Sequence, residues 1–238
     1  MKRSATLYLA LLLALCLTGG ARAAEPWPEI PSPPKSSVQW VGDSMRVNGV
    51  PTRIMQFQSQ RSRSEVIEYY RAYWTGGYPT KPVVKPMGNT ASVISQRHGP
   101  YFMTIKIEDA AQGTSKGLIS VAQIAGSKVS LDPGDLPLIP GAHVVSVVES
   151  NDPGKHSREV VIAASQPPSS VAQFYSASLT NDGWRQLHAT EDPRGAGTFV
   201  AFARDQSEMQ LSIVAMPRNQ GTTLVANLVT KDTGHDAN

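Results

Sequence analysis

The sequence predicts an α+β fold of two tandem repeated units, each an antiparallel β-sheet packed on one α-helix. Three observations carry this expectation. Apolar positions and turn signals recur in the same order at an offset of 105 residues, over about 75 residues. Each copy holds one stretch of helical period, Val66 to Trp74 and Val171 to Leu179. The stretches after it alternate apolar and polar residues and are joined by short polar turns, which favours antiparallel pairing because parallel strands need long crossovers.

Residues 1–23 read as a cleaved signal peptide. Lys2 and Arg3 precede an apolar run of eleven, Leu7 to Leu17, which is too short to span a bilayer. Ala21 and Ala23 then occupy the −3 and −1 positions of a cleavage site. Leu15 precedes Cys16 where lipid attachment wants a small residue, so no lipid anchor is expected. Cleavage near Ala23 would remove Cys16, the only cysteine, and leave a periplasmic or secreted chain without a disulfide, a thiol nucleophile or a transmembrane segment.

Residues 24–37 are proline-rich and expected to be extended. Residues 38–124 form unit 1. Within it Arg53 to Phe57 reads as a strand, and Ser62-Arg63-Ser64-Glu65 fits a capping box that starts a helix. Val66, Tyr69, Tyr70 and Tyr73 make its apolar stripe, and Gly76-Gly77 are expected to stop it through a positive φ. Residues 125–142, with Pro133, Pro137 and Pro140, read as a linker. Residues 143–230 form unit 2. There Glu159 to Ala163 is the entering strand, Pro167-Pro168 open the helix, Val171, Phe174, Tyr175 and Leu179 are its stripe, and Asp182-Gly183 end it. Residues 231–238 are read as a flexible tail.

Charge adds an asymmetry. The chain from Ala24 balances 19 basic against 19 acidic residues, which gives no reason to expect nucleic acid as a partner. Yet residues 24–132 carry 12 Lys/Arg against 8 Asp/Glu, and the remainder carries 7 against 11. The N-terminal half is basic and the C-terminal half acidic.

Two resemblances follow from particular residues. Ser170, Val171, Phe174, Tyr175, Gly183 and Trp184 form a pattern that resembles a segment of exported bacterial proteins and lipoproteins of poorly defined function; it implies a small non-catalytic envelope module. Gly42-Asp43-Ser44 is similar to the nucleophile block of the SGNH esterases, and Asp232-Thr233-Gly234-His235 spells that family's late Asp-x-x-His. The context argues against catalysis. Ser44 is followed by Met45-Arg46-Val47 and then Asn48-Gly49, a strong hairpin turn, so the chain runs from strand to strand where that chemistry needs a strand-to-helix turn.

His98, His143, His156, His188 and His235 show no paired ligand spacing, so no metal or other cofactor is expected. The candidate binding residues are the basic set Arg61, Arg63 and Arg71, with Trp27, Trp40 and Tyr101, aromatics that lack counterparts in unit 2. The expected function is an exported, non-catalytic binding or assembly-accessory protein of the bacterial envelope, its partner another envelope protein. The alternative is a carrier or sensor of a small apolar ligand held between helix and sheet; the serine esterase is the last reading.

Overall fold

Asn48 and Gly49 turn the chain back on itself, both with positive φ, 51° and 78°. Such a pair matches the right-handed twist of the strands it joins. A computed structural model of the chain describes residues 26–78, 80–193 and 195–232. The predicted signal peptide, with Cys16 and its cleavage site, and His235 lie outside the described residues. Val47 and Val50 face each other across the turn, between β1 (Ser36–Val47) and β2 (Val50–Ser59).

Helix α1 (Arg63–Gly77) follows β2. Ser62 caps it: the Glu65 amide donates to the Ser62 hydroxyl, and the Glu65 carboxylate accepts from the Ser62 amide at 2.9 Å. Four strands come next: β3 (Val83–Met87), β4 (Ala91–His98), β5 (Tyr101–Asp109) and β6 (Ser115–Gln123). After residues 124–142 the same order of elements occurs again: β7 (His143–Asp152), β8 (Lys155–Ala164), α2 (Pro168–Asn181), β9 (Arg185–Glu191), β10 (Gly197–Arg204), β11 (Ser207–Ala215) and β12 (Thr222–Lys231). No helix among the described residues is long and apolar enough to cross a membrane.

The expected pair of separate helix-backed sheets is not what forms. All twelve strands belong to one antiparallel sheet, in the order β3-β4-β5-β6-β2-β1-β7-β8-β12-β11-β10-β9. The sheet dominates the described residues, and among them two α-helices accompany it. The physical reason lies at β1 and β7. Each would otherwise be an edge strand with a row of unpaired N–H and C=O groups. Their pairing is short, with Met45, Arg46 and Val47 opposite Ser150, Glu149 and Val148. Asn48 extends it: its amide donates to the Val147 carbonyl at 2.7 Å, and its side-chain Oδ1 accepts from the Val147 amide at 2.8 Å. Ser130 donates to the Asn48 carbonyl, which ties the connecting segment to the same turn.

Register places both helices on one side. Pro51, Arg46, Glu149, Arg158, Leu228 and Met209 lie in one row across the junction, and alternation puts this row on the helix side in both halves. Val66, Tyr70 and Trp74 of α1 are buried against Ile94, Met103, Ile105 and Ile119; Val171, Tyr175 and Leu179 of α2 are buried against Val200, Phe202, Leu211 and Leu224. The fully buried stripe of α1 is therefore spaced by four and includes Trp74, while Tyr69 packs half-buried against this core and Tyr73 is exposed. Gly183 ends α2 with φ 83°, as expected, but Gly76 and Gly77 lie within α1 without positive φ and the chain leaves it through extended Tyr78. Each fully buried large side chain contributes about 1.5–3 kcal/mol.

Phe57 lies over Gly117 on the neighbouring strand; the equivalent pair in the other half is Ile162 beside Leu224. A Cβ on Gly117 would stand 1.9 Å from the Lys106 carbonyl and 2.7 Å from the Phe57 ring. Gly117→Ala is accordingly expected to lower stability by about 1–3 kcal/mol in urea unfolding, the cost of overpacking a filled core. At the junction, Asn48→Gly keeps the turn but leaves the Val147 amide without its acceptor; a loss of about 1–3 kcal/mol is expected, and Asn48→Asp, which keeps an acceptor oxygen, should retain most of the stability in the same experiment.

Candidate functional site

Arg158 stands on the helix side of β8, two residues before the buried Val160. Its guanidinium donates to Glu149 Oε1 at 2.6 Å and to the Asp132 carbonyl at 3.2 Å. Gly134 approaches it so closely that a Cβ would meet the guanidinium at 2.7 Å, and its φ of +66° is open to glycine. Across from Arg158, Arg204 of β10 stacks on the Trp184 ring at 4.6 Å and donates to the Asp182 carbonyl at 3.0 Å, just past the end of α2.

Between these two arginines lies a cavity of about 590 Å³. Its floor is the apolar row Val160, Ala226, Leu228 and Met209, and Trp184 with Leu136 forms part of its walls. Asp135 and Asp182 line the cavity together with the arginines, so both charge signs border its apolar floor. This is the usual anatomy of a small-molecule site: apolar surface for affinity and a few fixed polar groups for orientation.

The N-terminal half builds the same cradle and fills it. Arg53, Val121 and Met103 stand in register as Arg158, Leu228 and Met209 do. Here Trp27, from the proline-rich segment before β1, takes the space. Its ring lies 5.0 Å from Tyr101, and the Arg53 guanidinium stacks on it at 4.6 Å. Tyr101 itself is buried, 2 % exposed; the equivalent strand-start position in the other half is Ser207, opposite Thr230. An indole in one half and open volume in the other is the principal difference between the two cradles.

Both cradles are roofed by a proline-containing strap. Ile30 of the first strap is buried, and the Tyr70 hydroxyl donates to the Pro31 carbonyl at 2.8 Å. Leu136 and Ile139 of the second are buried, and Tyr175, at the helix position equivalent to Tyr70, reaches toward the Ile139 backbone. Residues 125–142 are thus anchored to the C-terminal half through Leu136 and Ile139. Burial raises both phenols: Tyr70 far above the ordinary range, reinforced by Tyr69 and Tyr73, and Tyr175 to about 12, with the Ile139 backbone opposing the shift.

The residues singled out from the sequence are placed as follows. Trp27 and Tyr101 come together, with Arg53, in the filled cradle. Trp40 stands on β1 at 53 % exposure. Arg61 pairs with Glu65 at 2.9 Å, Arg63 with Asp109 at 3.2 Å, and Arg71 with Glu68 on the same helix. Ser44 lies in the irregular stretch of β1 between Gly42 and Met45 and borders a hollow of about 260 Å³ that no histidine lines. Among the described residues, no three His, Asp or Glu side chains converge as a metal cage. Sequence reasoning overlooked Arg158, Arg204 and Met209. The match of Arg158 to Arg53 at the repeat offset was a usable signal; Arg204 and Met209 join the site only through strand register.

A raised phenol pKa ties stability to alkaline pH. The neutral form is favoured in the fold, so its contribution is complete below pH 10, the ordinary phenol value, and is lost as pH rises through 12 for Tyr175. Unfolding midpoints should therefore fall above pH 10, and Tyr175→Phe should flatten that fall in a pH series of urea melts.

Comparison with known proteins finds one likeness: a family model described as START domain-like matches residues 144–227. The match covers the half in which the cradle is open. No curated protein and no solved structure matches the chain.

Proposed function

We propose that this protein is a non-catalytic carrier or sensor that holds a small apolar ligand in the cavity above Met209 and Leu228. The observation that carries this reading is the pair of equivalent cradles, one filled by the Trp27 indole and the other left with about 590 Å³ of space. The apolar part of the lining, Val160, Met209, Ala226 and Leu228 with Trp184 and Leu136, gains by taking an apolar group, because that surface is removed from water. The START domain-like match over residues 144–227 supports a ligand-binding role for this half more than it supports an assembly accessory. Trp27 indicates the size and shape of a fitting group: a flat apolar body of roughly indole size, with the polar rim of Arg158, Asp135, Asp182 and Arg204 left to orient its polar end.

In this reading the protein acts after export, in the periplasm or outside the cell. In this reading a ligand takes the place of an envelope protein as principal partner, because the cavity of the C-terminal half sets Arg158 and Arg204 beside the apolar side chains Val160, Leu228 and Met209.

Native mass spectrometry of the protein purified from its own host is expected to show a bound small molecule. Met209→Trp fills the cavity floor and should release it, with a circular-dichroism melt reporting that the variant is folded. A bare mass for the wild type, or equal ligand content in the folded variant, would overturn the proposal.

A further inference from the structure

The face of the sheet opposite the helices has no covering element among the described residues. In the C-terminal half that face mixes both signs, Glu159 and Glu208 with Lys155 and Lys231, and Lys231 pairs with Glu208 at 3.4 Å. In the N-terminal half its character is different. Lys85, Val93, Lys106 and Leu118 lie in one row across β3 to β6, and Arg97 stands beside Phe102. Lys116 adds a further cation next to Glu108, the acidic residue of this patch, which Lys106 already pairs at 2.6 Å.

At the β3 edge the face dips into a groove of about 650 Å³. Lys81, Lys85 and Arg97 border it, and no Asp or Glu lines it. None of these three cations is in an ion pair with a described residue. Between them stand Val83, Met87 and Phe102, exposed by 54 %, 51 % and 41 %. Large apolar side chains held in water and interleaved with unpaired cations are costly unless something covers them.

We propose that this basic and apolar face docks the protein on an anionic lipid bilayer. Charge complementarity selects the partner: unpaired Lys and Arg attract the negative surface potential of anionic lipids. Their long apolar stems let the charged heads remain at the headgroups while Val83, Met87 and Phe102 reach the acyl boundary. The breadth of the patch also favours a membrane over one small molecule. Four strands at a spacing of roughly 4.8 Å present a surface about 15 Å wide. The face is separate from the ligand cavity, which opens on the helix side in the other half. Docking there would leave the cavity unobstructed.

Co-sedimentation with lipid vesicles tests this, using protein purified after export with its N-terminus confirmed. Binding is expected to vesicles that mix phosphatidylcholine with phosphatidylglycerol, to be weak on phosphatidylcholine alone, and to fade in high salt as the charges are screened. The double variant Lys85→Glu/Arg97→Glu should lose roughly tenfold or more in partitioning, consistent with the contribution of each cation near an anionic surface. The neutral pair Lys85→Gln/Arg97→Gln should fall between, and Phe102→Ser should weaken binding without changing its salt dependence. Met209→Trp should bind vesicles as the wild type does, which separates this inference from the fate of the ligand reading. Equal partitioning of the wild type and the folded charge-reversed variant would overturn the proposal. So would binding through the same residues to polyglutamate with none to vesicles, which would assign the face to an acidic protein.

Discussion

The Asn48 turn is the constraint on which the rest of the structure depends. Three residue pairs join β1 to β7, and Asn48 adds two reciprocal hydrogen bonds to Val147 at the end of that ladder. Asparagine serves here for two reasons. It tolerates the left-handed conformation the turn requires, and its side-chain oxygen supplies an acceptor that glycine lacks. Because the ladder is short, each bond in it matters to whether there is one sheet or two. The register it sets also carries alternation across the junction in phase, so both helices cover one face and no described element covers the other.

Two cores then form independently on the helix side, each under its own helix and its own proline-containing strap. The straps differ in what they bring. The first inserts Trp27 between Arg53 and Tyr101; the second brings Leu136 and Ile139 and stops short of the floor residues Met209 and Leu228. The position equivalent to Tyr101 is Ser207, a small side chain bonded to Thr230. A shared frame can in this way hold a permanent plug at one end and a site for an exchangeable molecule at the other. The arginines illustrate the economy of the arrangement: Arg53 stacks on an indole of its own chain, while Arg158 is braced by Glu149 and the Asp132 carbonyl at the rim of open space.

The two faces of the sheet divide the remaining chemistry. Ligand-sized volume lies on the helix side of the C-terminal half, and unpaired positive charge lies on the open side of the N-terminal half. The basic and acidic halves seen in the composition therefore have a spatial meaning, since part of the basic excess is gathered on one uncovered surface.

Local order was legible in the sequence because local physics sets it. The capping box at Ser62, the Asn48-Gly49 turn, the proline start of α2 and the Gly183 stop each depend on residues a few positions apart, and each appears in the structure as read. The alternation of β4, β5, β10 and β11 likewise announces which residues face the core. Other features depend on contacts between distant segments, and there the sequence was silent or misleading. Tyr69 and Tyr73 share helical spacing with Val66, yet the fully buried positions are Val66, Tyr70 and Trp74, with Tyr69 at the margin of the core and Tyr73 exposed. The six candidate binding residues were chosen by type; ion pairs engage Arg61, Arg63 and Arg71, and Trp27 and Tyr101 fill a cradle. Whether two similar halves keep separate sheets or fuse is decided by the pairing of β1 with β7 and by one side chain, Asn48, reaching Val147 across about a hundred residues of chain. A sequence determines its turns and stripes by neighbours; edges, registers and cavities are decided only when remote strands meet, because backbone groups at a sheet edge have no partner within their own segment.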